Sequence, residues 1–117
     1  MDKENIILDK SFEFALKIVD LYKYHIKQNE YILSKQILKS GTSIGANVEE
    51  ANAAQTKKDF ITKLSIASKE ARETRYWLRL LSRSNLSNYD YKPLMLETEQ
   101  IIKILTKIVK TSQAKIK

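Results

Sequence analysis

The sequence predicts an all-α protein, an up-down-up-down antiparallel four-helix bundle formed by a single domain over residues 1–117. Three observations lead there. Only two glycines and one proline stand in the chain, too few chain-reversing residues for a sandwich, a barrel or any fold of many short strands. Apolar residues recur in steps of three and four along four separate stretches, as in helices that bury one face. A chain of 117 residues suffices for one compact core and leaves little for a second.

The first helix is expected over about residues 9–28. Phe12, Leu16, Val19 and Ile26 form one stripe, and Phe14, Ile18, Leu21 and His25 form another beside it. Together they make a wider apolar arc than a single neighbour covers. Asn29 and Glu30 mark the break. The second helix, residues 31–52, carries Leu33, Ile37, Ile44, Val48 and Ala51 at helical spacing through Gly41 and Gly45. A helix-interior glycine costs about 1 kcal/mol relative to alanine, which invites a turn instead. The two glycines, however, lie four apart on one face, where missing side chains let another helix approach, and a continuous helix is expected.

The third helix, residues 57–84, is the clearest. Thr56 is its N-cap, and Asp59 adds negative charge to the first turn. Phe60, Leu64, Ala67, Ala71, Thr74, Leu78 and Leu81 then alternate steps of four and three, a heptad seam. A polar connector, Ser84 to Tyr89, precedes the fourth helix, residues 91–115. Proline is tolerated only in a first turn, so Asp90 is expected as N-cap with Pro93 at the third helical position. Met95, Ile102, Val109 and Ile116 recur every seven residues, with Leu94, Ile101, Leu105 and Ile108 alongside.

Composition narrows the function classes. The chain has no cysteine, which excludes disulfides, thiolate nucleophiles and cysteine-bound metals. His25 is the sole histidine and sits in an apolar stripe, which suits a core or interface residue better than a catalytic base. A di-iron bundle needs two Glu-x-x-His motifs, but Tyr22 stands three before His25. Gly41-Thr42-Ser43-Ile44-Gly45 is followed by Ala46 and Asn47, not by the Lys-Ser/Thr of a phosphate loop. No catalytic residue, metal ligand or cofactor is therefore assigned. No stretch approaches the ~20 apolar residues of a membrane span, and Ile6 to Leu8 is too short for a signal peptide. A cytoplasmic protein is expected, with no membrane partner.

Two polar groupings invite structural readings. Ser43, Asn47 and Glu50 follow one another at steps of four and three, and are expected to form a buried network with Glu73 or an arginine opposite. Glu70 and Glu73 could flank a substrate or a hard metal, but salt bridges to Lys69, Arg72 and Arg75 are the more economical account.

Charge is the positive clue to function. The formal net charge is +7, and residues 101–117 hold five lysines and no acid. Lys69, Arg72, Arg79 and Arg83 lie opposite the seam of the third helix, with Arg75 flanking and Tyr76 among them. On the fourth helix Lys103, Lys107, Lys110 and Lys117 share a face. Such stripes track phosphate backbones, with an aromatic available for stacking. Apolar residues left outside the seams mark partner surfaces, and Ile66, Trp77 and Leu80 are the expected contacts between copies.

The stretches from Ser40 to Ala51 and from Asp59 to Leu78 resemble the 23S rRNA-intervening-sequence protein family, whose Ser-Ile-x-Ala-Asn-x-x-Glu segment maps onto Ser43, Ile44, Ala46, Asn47 and Glu50. Its later glutamate maps onto Glu73. The resemblance spans nearly the whole chain. It implies a bacterial four-helix bundle assembled as a homopentameric ring, without known catalysis. The family is also similar to the accessory variability protein of diversity-generating retroelements, a basic pentamer that binds nucleic acid and a reverse transcriptase. Many members encoded in rRNA insertions read Ser-Ile-Pro-Ala-Asn and Glu-Gly, where this chain has Gly45 and Glu50-Ala51, so it looks like the subgroup of free-standing genes.

The expected protein is thus a non-enzymatic homo-oligomer that binds RNA or DNA through phosphates. Its contacts would be Lys69, Arg72, Arg75, Arg79, Arg83, Lys103, Lys107 and Lys110. The alternative is a protein-interaction scaffold that docks a nucleic-acid enzyme such as a reverse transcriptase.

Overall fold

Apolar register decides which faces meet. The structure, a computed structural model, describes residues 3–116 and the side chains of 6–115, and it holds four helices and no strand among the described residues. These are α1 (Lys3–Lys27), α2 (Leu33–Asn52), α3 (Lys57–Ser84) and α4 (Lys92–Ile116). Each helix packs on the next and α4 closes against α1, while the backbones of diagonal helices stay apart among the described residues. Helices of 20 to 28 residues run about 30–42 Å at ~1.5 Å per residue. They fit a body of 49 × 24 × 21 Å only side by side, and the short connectors make successive helices antiparallel.

α1 begins six residues earlier than the predicted Asp9. Ile7 is the cause. It extends the buried seam of Ser11, Phe14, Ile18, Leu21 and His25 by one step of four. With Leu8 it meets Val48, Ala51, Phe60 and Leu64 around a small internal void. The charged residues before it carry no apolar signal, so periodicity could not reach this turn. Of the two predicted stripes only the second faces inward, while Phe12, Leu16 and Ile26 are exposed.

α1 stops at Asn29, whose φ of 62° is the left-handed conformation asparagine tolerates. Glu30 N–H donates to His25 C=O at 2.9 Å and Asn29 N–H to Ile26 C=O at 3.0 Å, which closes a Schellman motif. Glu30 then turns forward. Its carboxylate accepts the N–H groups of Leu33 (2.9 Å), Ser34 (2.6 Å) and Ile32 (3.3 Å), satisfying the open amides of α2. Burial works to raise the Glu30 pKa, but these hydrogen bonds outweigh it and hold the carboxyl below its ordinary value.

α2 runs unbroken through both glycines, as their spacing predicted. A Cβ at Gly41 would lie 2.9 Å from Ile18 Cγ1, and one at Gly45 3.4 Å from the Ser11 carbonyl oxygen. Glycine at these positions lets α1 rest close to α2. At α3 the predicted cap is present, with Asp59 N–H donating to Thr56 Oγ1 at 3.0 Å.

The start of α4 differs by one residue from expectation. Asp90 Oδ1 accepts the Lys92 N–H at 3.1 Å, Tyr91 takes the N-cap position, and Pro93 is the second helical residue. Tyr91 C=O accepts the first helical bond, from Met95. The shift follows from burial of the Tyr91 ring, whose hydroxyl meets His25 Nε2 at 2.8 Å and Ser87 Oγ at 2.8 Å. The α4 seam is Leu94, Thr98, Ile101, Leu105 and Ile108, with Ile102 also buried and Met95 and Val109 packed at its edge. The Ile116 side chain and Lys117 lie outside the described residues.

Candidate nucleic-acid interface

α3 presents its faces in a fixed order. Leu64, Ala67, Ala71, Thr74, Leu78 and Leu81 point inward. Two contacts fix the edge that meets α2: Thr74 Oγ1 donates to Ser40 Oγ at 2.8 Å, and Lys63 pairs with Glu50 at 2.9 Å. The opposite edge therefore faces α4, the other helix on which α3 packs. Arg75 is half-buried on that edge. Lys69, Arg72, Tyr76, Arg79 and Arg83 are exposed around the outer surface.

Helical spacing makes these cations one another's neighbours. Arg72 and Arg75 are three apart, Arg75 and Arg79 four, and Arg79 and Arg83 four. No ion pair among the described residues neutralises them. Among the described residues the ion pairs are Lys17–Glu97, Lys23–Asp20 and Lys63–Glu50, and none includes an α3 arginine. The expected salt bridges from Glu70 and Glu73 to Lys69, Arg72 and Arg75 do not form. Both glutamates lie toward the α2 side of α3, where Glu73 Oε2 accepts the Trp77 indole N–H at 3.2 Å. Burial raises the Glu70 pKa and the Glu73 charge raises it further, against the pull of Lys39 and Lys69.

α4 supplies the second stripe. Lys103, Lys107 and Lys110 are exposed on its outer side, opposite the Leu94–Ile101–Leu105–Ile108 seam. Because α3 and α4 are packed neighbours, the two basic stripes occupy adjoining corners of the bundle. Lys117 of the predicted stripe lies outside the described residues.

The expected buried network is not present as such. Ser43 Oγ donates to Lys39 C=O at 2.6 Å, and Asn47 Nδ2 donates to Ser43 C=O at 2.9 Å, both within α2. Glu50 is exposed and paired with Lys63, and Glu73 holds Trp77. Position explains this: the strip lies along the rim of the α2–α3 groove, where water and local carbonyls compete for every polar group. The polar contact that does join the two helices inside is Thr74–Ser40, of which only Thr74 stood in a predicted seam.

Of the expected contacts between copies, Ile66 and Leu80 are exposed and Trp77 is half-buried against the core. The Phe12–Leu16–Ile26 stripe of α1 is the more open, with Phe12 57% and Leu16 47% exposed. Among the described residues no group of His, Cys, Asp or Glu is arranged to hold a metal ion, and no helix is long and apolar enough to cross a membrane.

With this geometry in view, comparison with known proteins places the chain. Residues 3–107 match the family model described as 23S rRNA-intervening sequence protein. The chain belongs to that family. A crystal structure of a protein of unknown function from the S23 ribosomal protein family of Bacteroides thetaiotaomicron is similar, with a TM-score of 0.89 and 50% identity, covering 93% of this chain and 99% of that one. Among the curated proteins nothing matches.

Within this member of the 23S rRNA-intervening sequence family, sequence reasoning missed two features. The buried His25–Tyr91–Ser87 chain was invisible because the partners are separated by the whole of α2 and α3. The Glu30 cap was hidden because Ser, Thr, Asp and Asn, not Glu, mark the residue ahead of a helix.

Proposed function

We propose that this protein is a non-catalytic, homo-oligomeric binder of nucleic acid that acts through phosphates with weak sequence preference. The observation that carries the reading is the uncompensated run Arg72–Arg75–Arg79–Arg83, flanked by Lys103, Lys107 and Lys110 on the adjoining helix. Like charges at these spacings cost stability, so a surface that keeps them without anions is built for an anionic partner. Membership in a family named for an insertion in 23S rRNA supports RNA as one such partner.

Assembly strengthens the reading. The Phe12 stripe on α1 and the Ile66–Leu80 edge of α3 are two different apolar surfaces on different helices. A contact joining unlike surfaces is heterologous and closes into a ring where its rotation divides the circle evenly, and the family resemblance suggests five subunits. Such a ring multiplies the arginine face around its axis. The exposed α1 stripe also favours a second reading, a scaffold that docks a nucleic-acid enzyme.

The test is binding to a mixed oligonucleotide pool across salt. Affinity should fall steeply between about 50 and 200 mM salt, in proportion to the phosphates neutralised. A flat response would refute phosphate-driven binding. Light scattering on a sizing column reads the subunit number, and capture of a protein partner that survives nuclease would favour the scaffold.

A further inference from the structure

Beside the arginine run lies a shallow cleft of about 290 Å3 lined by Tyr76, Arg79, Leu80 and Arg83. Its chemistry is specific: one aromatic ring, one aliphatic side chain and two guanidinium groups. Tyr76 is 56% exposed, so its ring is open to solvent. It is also braced. Its ring meets Trp77 edge-on, with centroids 5.1 Å apart at 73°, and Trp77 is tethered to Glu73.

Resting on the nucleic-acid reading above, we infer that this cleft takes a single unpaired base, stacked on Tyr76, with the flanking phosphates on Arg79 and Arg83. Positive charge alone would serve any polyanion. A braced, outward aromatic between two cations adds a demand only a splayed base meets, because bases within a duplex offer no free face to a convex helix surface. The protein therefore prefers single strands over duplex. Bracing by Trp77 reduces the rotamer freedom lost on stacking, so the ring is presented ready to bind. On α3 the Ile66–Leu80 edge turns toward α2 while Arg72 and Arg79 turn toward α4, so Tyr76, Arg79 and Arg83 stay open beside an intersubunit contact on that edge.

The experiment measures anisotropy of a labelled homopyrimidine strand, as RNA and as DNA, and of the same strand annealed to its complement. It compares the full chain with Tyr76→Phe and Tyr76→Leu. The unsubstituted protein should bind the single strand more tightly than the duplex. Tyr76→Leu should weaken single-strand binding roughly 5- to 150-fold, the range of one lost base stack, and leave duplex binding within about twofold. Tyr76→Phe should retain the preference. Fluorescence of Trp77, the sole tryptophan, should be quenched by single strand in the unsubstituted protein and in Tyr76→Phe, but not in Tyr76→Leu. Unchanged single-strand affinity in Tyr76→Leu, or equal loss for both strands, would overturn the stacking cleft while phosphate binding stood. An unsubstituted protein that binds neither strand at low salt would remove the proposed function, and this inference with it.

Discussion

If the α3 arginines are kept for a partner and not for the fold, removing them should stabilise the protein. The informative variant replaces Arg72, Arg75 and Arg79 together with glutamine and retains Arg83. Glutamine matches arginine closely in helix propensity, so the backbone loses little. Arg83 stays because a cation in the last turn favours the helix macrodipole. The triple change relieves three like-charge contacts, 72–75, 75–79 and 79–83, each costing about 0.2–0.5 kcal/mol on a helix surface. The gain is roughly 1 kcal/mol at low ionic strength, less a few tenths for the packed stem of the half-buried Arg75. For a chain of this size that raises Tm by about 4 °C. In about 1 M salt, where the screening length falls to ~3 Å, the gain should nearly vanish. Thermal unfolding by circular dichroism at both salt concentrations measures it. In the same variant the salt slope of single-strand binding should become shallower by about 2, since three phosphate contacts are lost at ~0.7 each. A fall in Tm at low salt would show that the arginines hold the bundle together and would refute the argument.

Three further outcomes are expected. Gly41→Ala should destabilise by about 1 kcal/mol or more, because its Cβ meets the buried Ile18 at 2.9 Å and overpacking outweighs the gain in helix propensity. Gly45→Ala, at 3.4 Å from Ser11, should be neutral or stabilising, and urea unfolding separates the two. Glu30→Ala should cost roughly 1–2 kcal/mol by leaving the first amides of α2 without their carboxylate, read as a lower urea midpoint. Burial lowers the His25 pKa, with the Glu30 charge opposing it. The folded state thus binds fewer protons than the unfolded one, so stability is full above about pH 6.5 and declines as pH falls below it. His25→Gln should flatten the denaturation midpoint between about pH 5 and 7.

What was legible in the sequence depended on whether a residue's role is local. α3 could be read to its ends because its cap, its seam and its basic face are all functions of spacing along one helix. The continuity of α2 could be read for the same reason, from glycines four apart. Roles set by a second helix could not. Which α1 stripe faces inward depends on α2 and α4, and the Phe12 stripe scores as well as the Phe14 stripe on a helical wheel. The N-cap of α4 was placed one residue early, at Asp90, because the decision rests with Tyr91, whose ring is drawn into the core by His25. For the candidate site, the cations were found by type and spacing, and the structure supplied where the acids go. Glu70 and Glu73 turn toward α2, which only tertiary packing could reveal.

Among the described residues, three of the four packed helix pairs join consecutive segments, and only the closure of α1 with α4 links distant parts of the chain. Little loop entropy has to be surrendered before contacts begin to reward it, which places folding among the fast helical bundles, roughly in microseconds to milliseconds. On the ribosome, the α1–α2 hairpin can dock across Gly41 and Gly45 while the remaining half is still being synthesised. Addition of α4 is then the step that closes the bundle.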